Sequence, residues 1–241
     1  MQHQTLGADC LLWNDSLEIT PQVDWFTPNF WQQQGAVTGT SHGRGTTYFV
    51  NYQGNNWVLR HYRRGGLVAH LSDDSYFFFG REKTRVWQEF KLLLDMHDKG
   101  LPVPKPIAGR ISRHALWYRA DILIEQISGA QDLYHQLQSS AMSPEEWQQV
   151  GRLIATFHNQ GIYHADLNIH NILRDAAGKL YLIDFDRGEQ REPSPAWQQA
   201  NLDRLLRSCR KEAGRVDTWY WQESDWQHLV AGYKQVQEVS K

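Results

Sequence analysis

Two short segments in the second half of the chain carry side chains suited to hydroxyl and metal chemistry. In the segment His164–Asn171, Asp166 is followed five residues later by Asn171, and Asp184 comes directly after an apolar run further along. A carboxylate such as Asp166 can orient a hydroxyl group and accept its proton. Asn171 and Asp184 offer oxygen atoms, the ligands that Mg²⁺ prefers. We therefore assign Asp166 as the candidate base, and Asn171 with Asp184 as candidate metal ligands.

The elements predicted around these residues would bring them together. A helix is predicted over Pro144–Gln160, because Ser143 and Glu146 form a capping box and apolar residues recur at helical spacing. The loop that carries the candidate base follows this helix. Short strands at 171–173 and 180–183, joined by a turn, form a predicted hairpin. That hairpin would bring the two candidate metal ligands together, although 13 positions separate them in the sequence.

This combination resembles the catalytic core of the protein-kinase-like superfamily, where an Asp, an Asn five residues later and a strand ending in Asp-Phe occur in the same order. The resemblance implies phosphoryl transfer from ATP with Mg²⁺ as cofactor. It also implies an α+β, two-lobed fold, with a β-rich N-lobe over residues 1–127 and an α-rich C-lobe over 128–241. Residues 1 to about 35 show no clear periodicity, and we predict an irregular extension there.

The first half of the chain supplies candidate contacts to ATP. The predicted strand Trp57–Tyr62 occupies the place of the superfamily's lysine-bearing strand but carries Arg60, whose guanidinium can bind phosphate and carboxylate oxygens. Val58 would cover the adenine, and Glu89, in a helix predicted over 83–99, is the expected partner of Arg60. On their own, a strand arginine and a helix glutamate are usually solvated. The other candidates are positions in the glycine-rich turn 39–45 and at the end of a strand predicted over 116–125, namely Gly43, Gly45, Glu125, and Ile127 with its neighbour Gln126.

Departures from the protein-kinase pattern argue against a protein substrate. Ala165 and Asn168 replace the arginine and lysine of the protein-kinase catalytic loop, and Asp186 replaces the glycine that follows Asp-Phe. These replacements remove the features that serve peptide substrates and leave the proton and metal chemistry intact. We therefore favour a kinase of a small molecule or a glycolipid.

The resemblance then narrows to the 3-deoxy-D-manno-octulosonic acid (Kdo) kinase family. The segments that carry it are Leu59–Leu67, Leu71–Tyr76, Glu89–Phe90, Gly100–Pro106, His164–Leu173 and Ile183–Gly188. It implies ATP-dependent phosphorylation of the 4-hydroxyl of Kdo on a lipid A precursor, by a peripheral protein at the cytoplasmic face of the bacterial inner membrane. Two rivals stay open. One is a related kinase with another acceptor, such as a heptose, an aminoglycoside or a protein, and the other is a nucleotide-binding pseudokinase that regulates a partner.

Composition limits the choice of partner. The 241 residues carry a formal net charge of −2 and are 41% hydrophobic, which is typical of a globular protein and argues against a nucleic-acid partner. The segment from Arg44 to Arg119 nevertheless holds 13 Lys and Arg residues against 6 Asp and Glu residues. Two cysteines without metal-type spacing indicate a reducing compartment, and no apolar run reaches the length of a membrane span.

The basic segment suggests where an acceptor with phosphates and a carboxylate would bind. The candidate acceptor-binding residues are Arg63, Arg64, Asp186 and Arg187. The same segment contains the aromatic run Phe77–Phe79, for which two interpretations stay open: an exposed patch at a bilayer interface, or side chains packed under the following helix. His164 is expected to brace the catalytic loop rather than to exchange protons.

Overall fold

A computed structural model describes the backbone of residues 1–42, 45–63 and 74–239, and the side chains of the same residues apart from His42 and Val239. The chain divides into two compact units, one of Met1–Lys99 with Pro104–Ser128 and one of Gly100–Val103 with Gly129–Lys241. The first unit is a β-sheet with one long helix and the second is mainly helical, which confirms the predicted α+β class. Among the described residues, no helix is both long and apolar enough to cross a bilayer.

The first unit is built on one antiparallel sheet. Its strands are β1 (Gln2–Leu6), β2 (Asp9–Trp13), β3 (Val37–His42), β4 (Thr46–Tyr52), β5 (Asn55–His61), β6 (Tyr76–Phe77), β7 (Pro106–His114) and β8 (Trp117–Glu125). Their order is β1-β2-β7-β8-β5-β4-β3, and β6 pairs with β8. Strand β5 begins two residues before Trp57, the predicted start of that strand, and the turn of the β4–β5 hairpin holds Gln53 and Gly54 at positive φ (50° and 84°). Positive φ at both central residues is the geometry that suits a two-residue hairpin turn.

Residues 1–35 belong to this fold, so the prediction of an irregular extension was wrong. Strands β1 and β2 extend the sheet beyond β7, and a short helix, α1 (Pro28–Gln33), follows. Trp25 and Trp31 are 3% and 0% exposed in the core beneath the sheet, and Trp31 Nε1 donates to the Trp25 carbonyl at 2.6 Å. The pattern was missed because β1 is exposed at every position and shows no alternation, while Trp25 and Trp31 pack against Trp57, which is distant in the sequence.

Helix α2 (Arg85–Asp98) begins two residues later than predicted, after a 3-10 turn at Arg81–Lys83. It packs against β7 so closely that a Cβ on Gly109 would lie 2.8 Å from Val86 Cγ2. Its inner face is apolar except for Glu89, which is only 2% exposed. Gly100, at a φ of +73°, ends the helical segment in the conformation that favours glycine. The helix therefore carries one buried carboxylate into the first unit.

The second unit combines four helices with short strands. These elements are β9 (Gln131–Asp132), α3 (Leu133–Ser139), α4 (Pro144–Asn159), β10 (Ile162–Tyr163), β11 (Ile172–Arg174), β12 (Leu180–Leu182), β13 (Glu189–Gln190), α5 (Pro195–Ala213) and α6 (Glu223–Val239). The capping box predicted for α4 is present, with Glu146 N–H donating to Ser143 Oγ and Ser143 N–H donating to the Glu146 carboxylate. The predicted hairpin is formed by β11 and β12, and β9 adds to its edge.

Helices α4 and α6 touch backbone to backbone. A Cβ on Gly151 of α4 would lie 2.0 Å from the Leu229 carbonyl oxygen, and a Cβ on Gly232 of α6 would lie 2.1 Å from the Gln148 carbonyl oxygen. Only glycine fits at such a distance. The close packing fixes the first half of α4, the helix that precedes the loop with Asp166.

The core role of the N-terminal region predicts a large stability cost for Trp31→Ala. Because Trp31 is fully buried, its truncation should lower the free energy of unfolding by about 3–5 kcal/mol. Urea unfolding followed by circular dichroism measures this change. Gln32→Ala, at an exposed position of the same helix, is the matched control and should change stability by less than about 0.5 kcal/mol. Equal stability of the two variants would contradict the assignment of this region to the core.

Candidate active site

The loop that follows β10 holds Asp166 and Asn171 in contact through the backbone. Asn171 Nδ2 and Asn168 Nδ2 both donate to the Asp166 carbonyl oxygen, at 2.9 and 3.0 Å. Asn168 Oδ1 also accepts from the His170 N–H at 2.9 Å, at the start of the 3-10 turn Ile169–Asn171. The loop is thus tied to itself by two amide side chains. This leaves the 38%-exposed Asp166 side chain facing outward from a fixed backbone.

The β11–β12 hairpin brings Asp184 to the same loop. Ile172 pairs with Leu182, and the Ile183 N–H donates to the Asn171 carbonyl at 3.0 Å, so Asp184 is the next residue along the chain. Asp184 has a φ of +62°, an unusual conformation for a residue other than glycine. Backbone strain of this kind persists only where the surrounding structure imposes it, and it is common at functional sites.

The donor set at this position suits a hard cation. Asn171 uses its Nδ2 in the bond to Asp166, so its Oδ1 is directed to the other side of the amide. Asp184 adds a half-buried carboxylate. Within the described parts of the chain, no three His, Cys, Asp or Glu side chains gather into a metal cluster. Mg²⁺ is usually held by one or two protein oxygens together with phosphate oxygens, and the pair of Asn171 and Asp184 fits that requirement.

A buried imidazole links the two segments. His164 is 2% exposed, its Nδ1 accepts from the Asp166 N–H at 3.1 Å, and its Nε2 lies 2.9 Å from the Ile183 carbonyl oxygen. These contacts require the neutral tautomer with the proton on Nε2. Burial lowers the pKa of His164, which keeps the ring neutral. The ring therefore has the contacts of a brace, as the sequence suggested.

Helix α5 supplies a second brace through Asn201. Its side chain accepts from the His164 N–H at 3.2 Å and donates to the His164 carbonyl at 3.1 Å. His158, on α4, lies close by and bonds through Nδ1 to the Tyr233 hydroxyl at 2.8 Å. Burial lowers the pKa of His158 to about 4, although a hydrogen bond with Asn201 acts in the opposite direction. Both histidines are therefore neutral when the protein is folded at neutral pH.

Sequence reasoning missed the cation that pairs with Asp166. Arg204 of α5 places Nη1 2.8 Å from Asp166 Oδ1, and the two side chains are 45% and 38% exposed. An ion pair at this exposure contributes little to the stability of the fold. Its main effect is to place a positive charge beside the Asp166 carboxylate. Arg204 lies on the polar side of an amphipathic helix, 38 residues from Asp166, and no local pattern distinguishes it from its neighbours.

The Asp-Phe-Asp segment has its aromatic ring inside and its polar groups outside. Phe185 is fully buried, with its ring stacked on Phe157 at 5.8 Å and tilted against His164 at 4.7 Å. Asp186 is half-buried and Arg187 is exposed, so both candidates for acceptor binding stand at the surface of the second unit. The anchored ring fixes the position of Asp184 on one side of it.

In the first unit, the expected ion pair between Arg60 and Glu89 is present. Arg60 Nη2 lies 2.6 and 2.7 Å from the two carboxylate oxygens of Glu89, and the Tyr62 hydroxyl donates to Glu89 Oε2 at 2.5 Å. Arg60 is 22% exposed, so a buried carboxylate holds a cation at the surface of the sheet.

The residues expected to contact adenine lie on β5 and just beyond β8. Val58 and Arg60 are half-buried on one face of β5 while Trp57 and Leu59 are buried on the other, as the alternation predicted. Of the Gln126 backbone groups expected to bond the adenine, the N–H already donates to the Asn56 carbonyl at 2.9 Å.

The backbone N–H of Glu125, at the end of β8, is also already hydrogen-bonded, because it donates to the Lys105 carbonyl at 2.8 Å. Ile127 stays the candidate backbone contact beyond the strand.

The glycine-rich turn meets Arg63. A Cβ on Gly45 would lie 2.7 Å from Arg63 Nε, so the absence of a side chain at Gly45 lets the arginine pass close to the backbone. Two of the predicted site residues, Gly43 and Arg64, lie outside the described residues.

Comparison with known proteins gives one consistent result. The model of the lipopolysaccharide kinase (Kdo/WaaP) family matches residues 28–233. The chain is 46% identical to the 3-deoxy-D-manno-octulosonic acid kinase of Haemophilus influenzae strain PittEE and 40% identical to that of Vibrio vulnificus strain YJ016, in each case over 98% of this chain and 100% of the relative. It is 50% identical to the corresponding kinase of Vibrio cholerae over 77% of this chain and 78% of the relative.

The neutral histidines behind the loop predict a loss of stability in acid. An unfolded histidine has a pKa of about 6.5, above the folded value of about 4 for His158, so the unfolded state binds more protons as the pH falls through this range. Stability is therefore full above about pH 6.5 and declines toward pH 4, and His158 alone should cost about 2 kcal/mol at pH 5. Urea unfolding at pH 7.5 and pH 5 measures the decline.

The variant His158→Gln separates this effect from the titration of other groups. It should show a smaller decline between the two pH values than the wild type, although it is less stable at pH 7.5. His114→Gln, at an exposed position, serves as control and should keep the full decline. An identical decline in all three proteins would exclude His158 as the titrating group.

Proposed function

The chain belongs to the lipopolysaccharide kinase (Kdo/WaaP) family, and on that premise we propose that it transfers the γ-phosphoryl group of ATP to the 4-hydroxyl of a Kdo sugar on a lipid A precursor. It is a phosphotransferase that acts on a hydroxyl group in lipopolysaccharide biosynthesis. The observation that carries the proposal is the junction of the Asp166 loop with the hairpin that ends in Asp184. A pseudokinase would not need to keep Asp166, Asn171 and Asp184 together.

Each residue of the junction receives one task. Asp166 orients the acceptor hydroxyl and takes its proton as the new P–O bond forms. Asn171 and Asp184 hold Mg²⁺, which when bound supplies positive charge against the phosphoryl oxygens. Catalysis of phosphoryl transfer rests mainly on position and charge, so a loop fixed by His164 and by amide side chains suits the reaction.

Residues of the first unit would bind ATP. Arg60 provides a guanidinium for the phosphates, and Glu89 fixes its orientation from the buried side. Val58 offers an apolar contact for the adenine on the same face of β5. Backbone groups at Gly45 and Ile127 complete the proposed nucleotide contacts. Glu125 is exposed at the end of β8, two residues before Ile127.

The acceptor explains where the reaction would occur. A lipid A precursor is held in the bilayer by its acyl chains, so the protein would act as a peripheral protein at the cytoplasmic face of the inner membrane. Arg63 and Arg187 are exposed cations, and Asp186 lies next to Arg187, in keeping with an acceptor that carries phosphates and a carboxylate. Arg204 joins this group because it already stands beside Asp166.

The reaction itself is tested with Mg-ATP and a Kdo-bearing lipid A precursor, followed by mass spectrometry of the lipid. One added phosphate on the sugar is expected with the wild type. Asp166→Asn should lower the rate by about 100-fold or more and leave ATP affinity unchanged, because it removes only the proton acceptor. Asp95→Asn, an exposed aspartate paired with Lys99, is the control. Bound ATP without lipid phosphorylation would exclude the acceptor, and an active Asp166→Asn would exclude the base.

The position of Arg204 beside Asp166 predicts that its replacement affects the KM for the acceptor and not the KM for ATP. If its guanidinium also binds the Kdo carboxylate, Arg204→Ala should raise the KM for the acceptor by about 10- to 100-fold, the loss of a charge-assisted hydrogen bond, with little change in the KM for ATP. Arg204→Lys should recover part of the loss. Arg210→Ala removes a cation of the same helix that pairs with Glu223 and should behave as the wild type. Unchanged acceptor kinetics in Arg204→Ala would contradict this role.

A further inference from the structure

The exposed apolar side chains of the first unit gather at one end of its sheet. Six large hydrophobic residues are exposed in the described chain, and five of them belong to this unit: Leu6, Phe77, Phe79, Leu116 and Trp117. The sixth, Tyr220, belongs to the second unit. Single exposed apolar residues are normal on any protein, but a cluster marks an interaction surface.

The topology explains why Phe77, Phe79, Leu116 and Trp117 meet, while Leu6 lies at the same end of the sheet with β2 between its strand and β7. Asp9, just after the β1–β2 turn, pairs with Ser112 near the end of β7, and the Arg113 N–H donates to the Ala8 carbonyl at 2.9 Å. The β1–β2 turn and the β7–β8 turn therefore lie at the same end of the sheet. Strand β6 pairs with the first residues of β8, immediately beside that end.

Contacts within the cluster give it a defined shape. The rings of Phe77 and Phe79 stack at 5.4 Å, and the edge of Trp117 meets Phe77 at 4.7 Å. The Phe78 N–H donates to the Leu116 carbonyl at 2.9 Å, which fixes the aromatic segment to the β7–β8 turn. Phe79, at 71% exposure, projects farthest into solvent. We call Phe77, Phe79, Leu116 and Trp117 the apolar tip.

The exposure follows from strand alternation and not from loose packing. Phe77 pairs with Trp117 in the ladder, and Tyr76 pairs with Tyr118 one position away. Both tyrosines are buried, at 8% and 3% exposure, while Phe77 and Trp117 are 45% and 41% exposed on the opposite face. The two interpretations of the aromatic run are thus resolved: its inward neighbours fill the core, and Phe77 and Phe79 face solvent.

Cations surround the apolar tip. Arg113, Lys83 and Arg81 are exposed, and the Arg113 guanidinium lies 4.7 Å from the centre of the Phe78 ring. Two acidic residues lie among these cations: Asp74 contacts Arg119, which is 51% exposed, at 2.9 Å, and the exposed Glu82 lies between Arg81 and Lys83 in the chain. In a bilayer interface with anionic lipid, aromatic and leucine side chains enter the headgroup region, and arginine and lysine contact the phosphates around them.

We propose that the apolar tip inserts into the interface of a bilayer containing anionic lipid, with the surrounding cations on the headgroup phosphates. This inference rests on the proposed function in one respect: an acceptor held in a bilayer requires the protein to reach a membrane. A self-associating surface would need complementary charge on the same patch, whereas the border is predominantly cationic and would repel a second copy.

The test measures vesicle binding of the full-length protein without ATP or Kdo, so its outcome is independent of the proposed reaction. Vesicles of phosphatidylcholine with about 30% phosphatidylglycerol should bind the wild type, and binding should weaken with salt. The triple variant Phe77→Ser, Phe79→Ser, Trp117→Ser should bind at least about tenfold more weakly. Tyr220→Ser, the exposed aromatic of the second unit, should bind as the wild type.

Two controls separate a loss of membrane binding from a loss of folding. Circular dichroism checks that the triple variant is folded, and Arg113→Gln weakens binding to anionic vesicles through charge alone, without changing the aromatic side chains. Wild-type binding that is equal in the triple variant, or absent on anionic vesicles, would overturn the proposal. Sedimentation that shows a dimer of the wild type and a monomer of the triple variant would assign the apolar tip to a second copy instead.

Discussion

The second unit depends on a buried imidazole that stays neutral. His164 accepts from the Asp166 N–H and donates to the Ile183 carbonyl, so one ring fixes the backbone at Asp166, the proposed base, and next to Asp184, a proposed metal ligand. A proton on Nδ1 would turn an acceptor into a donor facing another N–H, and the junction could not keep its geometry. Asn201 adds α5 to the same histidine through its backbone. Burial here maintains a protonation state on which the position of the chemistry depends.

The first unit also depends on a buried polar group, but there the group is the carboxylate of Glu89, which is paired with a cation. Glu89 is a carboxylate at 2% exposure inside an apolar helix face, and such a group is tolerated only when it is paired. Arg60 and Tyr62 provide the partners. Arg60 Nη2 contacts both carboxylate oxygens, so the pair orients the guanidinium. Arginine in place of the superfamily's lysine therefore preserves the buried pair and presents a planar, permanently charged group at the sheet surface.

Sequence reasoning succeeded where the pattern is local. The capping box, the period of α4 and the hairpin after Asn171 each lie within a few residues, and the fold followed them closely. It failed where contacts cross long stretches. The all-exposed β1 has no alternation, Trp25 and Trp31 meet across a turn beneath the sheet, and Arg204 reaches Asp166 from 38 residues away. The aromatic run was ambiguous because alternation on a two-residue strand is too short to assign a face.

A chain with a net charge near zero can still bind a charged surface, because the charges at the contact matter more than the net charge of the whole chain. The net charge of −2 averages a cationic border around the apolar tip with acidic residues elsewhere. If the tip holds the protein at a bilayer, the search for a lipid-borne acceptor takes place along a surface, and the local acceptor concentration rises without any new contact to the sugar. The KM for an acceptor in a membrane would then contain a surface contribution that the KM for a water-soluble Kdo fragment lacks. Membrane affinity and acceptor recognition can accordingly be altered separately, since Phe79 and Arg204 belong to different units of the fold.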